Sequence, residues 1–215
     1  MKLLLTGFTP FGSESINPSY EALKRIESKN ESVEVKIVQI PTVFKESIEK
    51  LEDIINRFKP DVVICVGQAG GRYSISFERV AINVDDSRIK DNKGNQPIDE
   101  KIVASGKNAY FTNLPIKSMV KTLRDHKIPA EVSNTAGTFV CNHLMYGLMH
   151  LIHTSKSDMK GGFIHVPFIH EQVMNKKNQP SLAIETITQA FEILIDFIGD
   201  NDLEDDIKMP FGKED

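Results

Sequence analysis

Cysteine is scarce in this chain: Cys65 and Cys141 are the only two in 215 residues. Two thiols do not make a disulfide framework, so the fold must be held by its core. Long apolar runs are missing too. No stretch approaches the ~20 residues that span a bilayer. The run Leu3-Leu4-Leu5 soon meets Pro10, which is too short for the apolar region of a signal peptide. Positive charge is not in excess. Lys and Arg number 26 against 30 Asp and Glu, a formal net charge of -4, and no basic field for nucleic acid results. Internal repeats and low-complexity linkers are absent. No pair of His or Cys has metal-ligand spacing with a further ligand, so no metal is expected. The glycine-rich stretch at 67–72 lacks the Gly-Lys-Ser/Thr ending of a P-loop and the Gly-x-Gly-x-x-Gly pattern. These absences leave an expectation of a free-thiol protein of a reducing cytoplasm, without membrane or nucleic-acid partners.

What is present is ordinary for a soluble globular protein, with 40% hydrophobic and 26% charged residues. A chain of this length can bury a sizeable core as one domain, expected to span residues 1–215 with an acidic, frayed tail from about 200. Strand-like and helix-like segments alternate. Residues 2–6, 33–40, 62–66, 74–84, 130–133 and 162–166 read as strands. Helices are expected from Asn17-Pro18 to about Ser28, over 44–58, over 116–126, over 141–153, and along the apolar stripe Ile184, Ile187, Phe191, Leu194 and Ile198. Residues 85–97, rich in Asp, Asn, Gly and Lys, read as an exposed loop or lid. The alternation predicts an α/β fold of three layers, α/β/α, around a twisted, mostly parallel central sheet. In such sheets ligands bind beyond the carboxyl ends of the strands. Four segments should therefore gather on one edge: 7–12, 67–72, 134–141 and 165–167.

Cys141 ends a loop of small residues and sits near the start of a helix, where unpaired N–H groups and the helix dipole favour a thiolate. Its bland alternative is a small buried hydrophobe. Cys65, inside Val62-Val63-Ile64-Cys65-Val66, reads as core. Of the six histidines, His165 ends a strand at the edge where Cys141 should lie and is the best placed base, with a satisfied core histidine as the alternative. His143, two residues from Cys141, points to another face of the helix. If 74–84 is extended, Glu78 shares an apolar face with Val80 and Ile82. A carboxylate there must be paired. It could orient His165, or form a salt bridge to Arg72 or Arg79.

Taken together, several stretches resemble the pyroglutamyl-peptidase I (pyrrolidone-carboxylate peptidase) family of cysteine peptidases. They are 7–12, 67–72, Phe77-Glu78-Arg79-Val80-Ala81-Ile82-Asn83, the run Ser133-Asn134-Thr135-Ala136-Gly137-Thr138-Phe139-Val140-Cys141-Asn142-His143, and Gly162-Phe163-Ile164-His165-Val166-Pro167. The resemblance implies a catalytic triad of Glu78, Cys141 and His165, no cofactor, and a cytoplasmic homo-oligomer, dimer or tetramer. It also implies that Phe8, Phe11, Thr42, Ile89, Phe139 and Val140 surround a pyroglutamyl ring. By the same resemblance Gln68 hydrogen-bonds the lactam through its backbone, and Arg88 stands near the oxyanion. The implied reaction is hydrolysis of the amide after an N-terminal pyroglutamyl residue of peptides, through a thioester. An uncharged lactam needs apolar walls and a few fixed polar groups, which suits these residue types. Two rivals remain open on the residues alone: a nucleoside-phosphorylase-like transferase, for which Cys141 would be dispensable, and a lactam-binding protein without turnover.

Overall fold

A computed structural model describes residues 1–27 and 30–212. In chain order its elements are β1 Lys2–Phe8, α1 Pro18–Leu23, β2 Glu34–Ile40, α2 Glu46–Phe58, β3 Val62–Gln68, β4 Ile75–Glu78, β5 Val80–Ile82, β6 Ala109–Phe111, α3 Ile116–Asp125, β7 Ala130–Ser133, α4 Val140–Ser155, β8 Lys160–Val166, β9 Phe168–Ile169, α5 His170–Val173, β10 Ser181–Leu182 and α6 Ile184–Asp200. Six strands form one sheet in the order β2-β1-β3-β8-β4-β7. All neighbours in it are parallel except β4 and β8.

Strand alternation divides the core into two layers. Leu3, Leu5, Ile64, Val66 and Ile164 face α1, α3 and α6. Leu4, Val63, Cys65 and Phe163 face α2 and α4. Every residue of β3 is buried, as a central strand covered on both sides must be. Helices over both faces of a mostly parallel sheet give the expected α/β/α architecture.

Three strands are longer than their apolar runs suggest. β1 and β3 continue through Gly7 and Gly67, because each glycine is paired by a neighbouring strand, Gly7 with Gln39 and Gly67 with His165. β8 starts two residues early, at Lys160, paired with Val62. The expected helix from Asn17 does start there. The Asn17 side chain accepts the Ser19 N–H and Pro18 takes the first turn, but the helix stops at Leu23, and Ser28 lies outside the described residues.

Residues 74–84 are not one extended strand. β4 joins the main sheet, and the chain then leaves it at Arg79, so that β5 pairs with β6 in a separate antiparallel ribbon. Glu78 therefore does not share a face with Val80 and Ile82. Its same-face neighbours are Ser76 on its own strand and Phe163 across β8. Beyond α6, residues 201–212 lie against the body where a frayed tail is expected. Leu203 is buried, and Asp206 accepts the N–H groups of Lys117 and Ser118 at the start of α3, the place where a carboxylate is favoured.

Candidate active site

Cys141 is the second residue of α4. The preceding loop turns through Gly137 at φ +77°, a left-handed conformation that a side chain would resist. The first N–H groups of a helix have no carbonyl four residues back, and Cys141 stands among these residues. A β-carbon on Gly67 would fall 2.9 Å from Cys141 Sγ and 2.8 Å from Phe163 Cζ. Only glycine lets the thiol settle on the sheet at this point. Gly67 is the register partner of His165, so the thiol seated over Gly67 and the imidazole of the adjacent strand share one face of the sheet. No hydrogen bond joins them in the resting site, an arrangement common before substrate binds.

His165 Nδ1 donates to Glu78 Oε1 at 2.7 Å, and both side chains are buried. Arg72 reaches the same oxygen at 2.6 Å and donates to the Thr135 carbonyl at 2.9 Å. The two readings of Glu78, orienting partner and salt bridge, are thus satisfied together. Burial alone would raise the Glu78 pKa. The hydrogen bond and charge of His165, the Arg72 guanidinium and the nearby Ser133 hydroxyl outweigh it and hold the group below the ordinary carboxylate value. The Ser133 hydroxyl donates to the Thr135 carbonyl, so Oε2 receives no well-aligned donor. Burial pushes His165 below the ordinary imidazole value, against the pull of Glu78. The pair rests as carboxylate and neutral imidazole, with the proton on Nδ1 and a lone pair on Nε2.

The thiol runs against the sequence expectation. Burial, and then the Glu78 carboxylate, push Cys141 up to about 12, with Arg72 opposing. The helix N-terminus favours a thiolate, but desolvation and a like charge prevail in the resting site. Cys65 is also pushed up to about 12, by burial. Acidity does not separate the two cysteines. Access does, because Cys65 is wholly buried and Cys141 is only partly so.

Both catalytic candidates open on a cavity of about 260 Å³. Phe8, Phe11, Thr42, Gln68 and Phe139 line it, as do Arg72 and residues 135–137 from the expected segments and Asn17, which sequence reasoning did not place there. The wall surface is mostly apolar, with Phe11 5.9 Å from Phe139 and Phe44 backing Phe139 edge-on at 5.4 Å. Among the described residues no carboxylate lines it. Three expected contacts are not in the wall. Val140 is wholly buried in the α4 core, Ile89 is exposed, and Arg88 is on the surface of the 85–97 loop. All four expected segments reach the cavity, but not all from one sheet edge. β7 runs against β8 and stops level with Phe163, so the 134–139 loop must fold back over the face to deliver Cys141.

The 85–97 loop is anchored, not free. Asp91 accepts the N–H groups of Phe44, Lys93 and Asn95, and Asn92 bonds the Pro10 carbonyl. A second buried pair lies beside it. His143 Nδ1 is 2.7 Å from Asp85 Oδ2, and its Nε2 accepts the Lys45 N–H at 2.9 Å. His143 does point away from Cys141's cavity, into a separate one. The described residues hold no cluster of three or more His, Cys, Asp or Glu able to bind a metal, and no helix long and apolar enough to cross a membrane.

Known proteins of similar sequence and fold come from one family. The family described as pyroglutamyl peptidase matches residues 1–201. A pyrrolidone-carboxylate peptidase of Thermosipho melanesiensis is 58% identical over 188 residues, covering 87% of this chain and 93% of its own. One from Clostridium botulinum is 53% identical over 213 residues, 99% of each chain. Among solved structures, pyroglutamyl peptidase I of Bacillus amyloliquefaciens superposes with a TM-score of 0.91 at 50% identity, covering 96% of this chain and 99% of that one. A mutant pyrrolidone carboxyl peptidase from Pyrococcus furiosus gives 0.87 at 41% identity, over 91% and 97%.

Proposed function

The chain belongs to the pyroglutamyl peptidase family and is a thiol-dependent hydrolase, and from that premise we propose that it removes pyroglutamate from peptide N-termini with Cys141 as nucleophile, His165 as base and acid, and Glu78 as the group that orients His165. The observation that carries this reading is the thiol seated over Gly67 beside an imidazole whose Nδ1–H is committed to Glu78, both opening on an apolar cavity without a carboxylate.

The pKa directions support the following order of events. The resting thiol holds its proton, so His165 Nε2 takes it as Sγ attacks the carbonyl that joins pyroglutamate to the next residue. Negative charge then develops on the carbonyl oxygen, where first-turn N–H groups of α4 stabilise it. The imidazolium, stabilised by Glu78, returns the proton to the leaving amine. Water, deprotonated by His165, hydrolyses the thioester and frees the thiol. No cofactor enters any step. The same reading carries the expectations of a cytoplasmic enzyme and a dimer or tetramer, which fractionation and sedimentation would test.

Specificity is the decisive test. Prolyl and glutaminyl amides carry an ammonium that this cavity has no acid to pair, which makes its burial costly. With one fluorescent leaving group, kcat/KM for the pyroglutamyl amide should exceed both by ~10⁴-fold. Comparable values for the prolyl amide would overturn the lactam reading. Binding without turnover, unaffected by thiol alkylation, would favour a non-catalytic lactam-binding protein.

A further inference from the structure

Arg72 stands in the loop between β3 and β4, where the chain is tightly held. A β-carbon on Gly70 would fall 2.2 Å from Phe168 Cζ, and Gly71 turns at φ +89°. From there the Arg72 guanidinium reaches two other segments. Its Nη1 donates to Glu78 Oε1 on β4 at 2.6 Å, the oxygen that also accepts from His165 Nδ1. Its Nη2 donates to the Thr135 carbonyl at 2.9 Å. Thr135 belongs to the loop that folds back over the sheet to deliver Cys141. The far end of that loop is tied elsewhere, since Thr138 and Asp86 exchange two hydrogen bonds.

A guanidinium is a rigid planar fork, so it fixes its two acceptors relative to one another. A lysine ammonium is a point charge on a flexible stem and does not. Here the two acceptors belong to the two halves of the site. Glu78 orients the imidazole, and Thr135 is part of the loop that places the nucleophile. Arg79 provides the contrast. Its Nε donates to Asn134 Oδ1 at 2.9 Å, so it grips the same loop, but it has no hydrogen bond to Glu78 among the described residues. The charged groups acting on His165 are Glu78 and Arg72, and the Cys141 thiol is seated on the same face. The Arg72 charge opposes protonation of His165 and opposes the upward push on the Cys141 thiol. Position and charge therefore act in one sense, towards a free base facing a thiol that can give up its proton.

We propose that Arg72 is a positioning residue for the reaction: its guanidinium clamps the Glu78–His165 pair to the Thr135 corner of the loop that carries Cys141, and so sets the approach of imidazole to thiol. This rests on the proposed triad and adds a fourth side chain to it. Both bonds of Arg72 go to protein groups, so it acts through Glu78 and the loop, although it lines the cavity.

The test compares Arg72→Met, Arg72→Lys and Arg79→Met in the full chain, with kcat expressed per Cys141 thiol that iodoacetamide titrates. Arg72→Met should lower kcat by ~10²-fold, the cost of misplacing reacting groups by about 1 Å, with KM held within about threefold. Its acid limb of kcat/KM should move to higher pH, because the charge that opposes His165 protonation is gone. Arg72→Lys should keep that limb near its wild-type midpoint yet leave kcat at least ~10-fold down, since the charge returns without the fork. Arg79→Met should hold kcat within about threefold. Wild-type kcat in either Arg72 variant, or an equal loss in Arg79→Met, would overturn the proposal. So would a drop in titratable thiol alone, with kcat per thiol and the acid limb unchanged, which is the mark of a merely structural tie. If Arg72→Met does not fold, Arg72→Lys decides by its loss of kcat at constant KM. Alkylation needs no turnover. Iodoacetamide should label Cys141 roughly tenfold more slowly at neutral pH in Arg72→Met, and an unchanged rate would overturn the clamp. A wild-type chain that fails to cleave pyroglutamyl amides would refute the proposed function, while the labelling rates would still judge Arg72.

Discussion

Two histidine–carboxylate pairs stand on the α4 side of the sheet, and they differ at one nitrogen. In both, Nδ1 lies 2.7 Å from a buried carboxylate, Glu78 for His165 and Asp85 for His143. His143 Nε2 is consumed by the backbone N–H of Lys45, a residue held at φ +64° at the start of α2. His165 Nε2 receives no hydrogen bond from the described residues and opens on the cavity that holds Cys141. The same two side chains thus make a brace in one place and a poised base in the other. A histidine–acid pair is not a catalytic signature by itself; what faces its second nitrogen decides.

The strongest way to break this comparison is to remove the thiol that distinguishes the two places. Cys141→Ala should lower kcat by ~10⁴-fold or more, whereas Cys65→Ala should retain kcat within about twofold and lose roughly 1 kcal/mol of stability. Alkylation should label Cys141 first in the native chain, because it alone has access. If inactivation tracks labelling of Cys65, the assignment of nucleophile fails.

Next come the carboxylates. Glu78→Gln should cut kcat by ~10²–10⁴-fold with little change in KM, since the amide cannot stabilise the imidazolium. Asp85→Asn should leave kcat within a few-fold. Equal losses from the two would erase the distinction between base and brace.

The brace should show itself in stability. His143→Ala leaves the Lys45 N–H and the buried Asp85 carboxylate without this partner, and should cost about 3 kcal/mol in denaturant unfolding while the folded variant still turns over. A variant as stable as wild type would remove the structural role given to His143.

A pH profile sharpens the contrast further. The His165 pKa is depressed by burial, so the acid limb of kcat/KM should have its midpoint below the free imidazole value of ~6.5. For stability the sign is the same for both members of this pair. Glu78 and His165 each have a lower pKa folded than unfolded, so the unfolded chain binds more protons as pH falls. Their contribution is complete above ~6.5 and is lost towards acid. An acid limb centred above ~7 would contradict the neutral resting imidazole. The smallest expected effect is that of a chelator, which should leave activity unchanged. Loss on dialysis that a divalent metal restores would contradict the thiol mechanism.

Much of this was legible in the sequence because the signals are local. The apolar run around Cys65 marks a strand buried on both faces, and the small-residue loop before Cys141 marks a helix entrance. Asn17-Pro18 marks a capped start. Less legible was the break at Arg79, since β-propensity continues through 74–84 and only pairing with β8 and β6 tells β4 from β5. Gln172 was missed altogether. Its buried amide binds Gln68 and Glu14, 104 and 158 residues away in the chain, and no local pattern records them.

The sequence by itself determined the alternation of elements, the two thiols and their contrasting settings, and the candidates Glu78, Cys141 and His165, because periodicity, capping and motif order are properties of neighbouring residues. Tertiary structure alone decided which strands run against the others and that Glu78 serves Arg72 and His165 at once. It also decided that burial outweighs the helix dipole at Cys141, and that His143 is closed off while His165 stays open. Each of these depends on desolvation and on hydrogen-bond partners brought together across the sheet, and such terms exist only once the chain has folded.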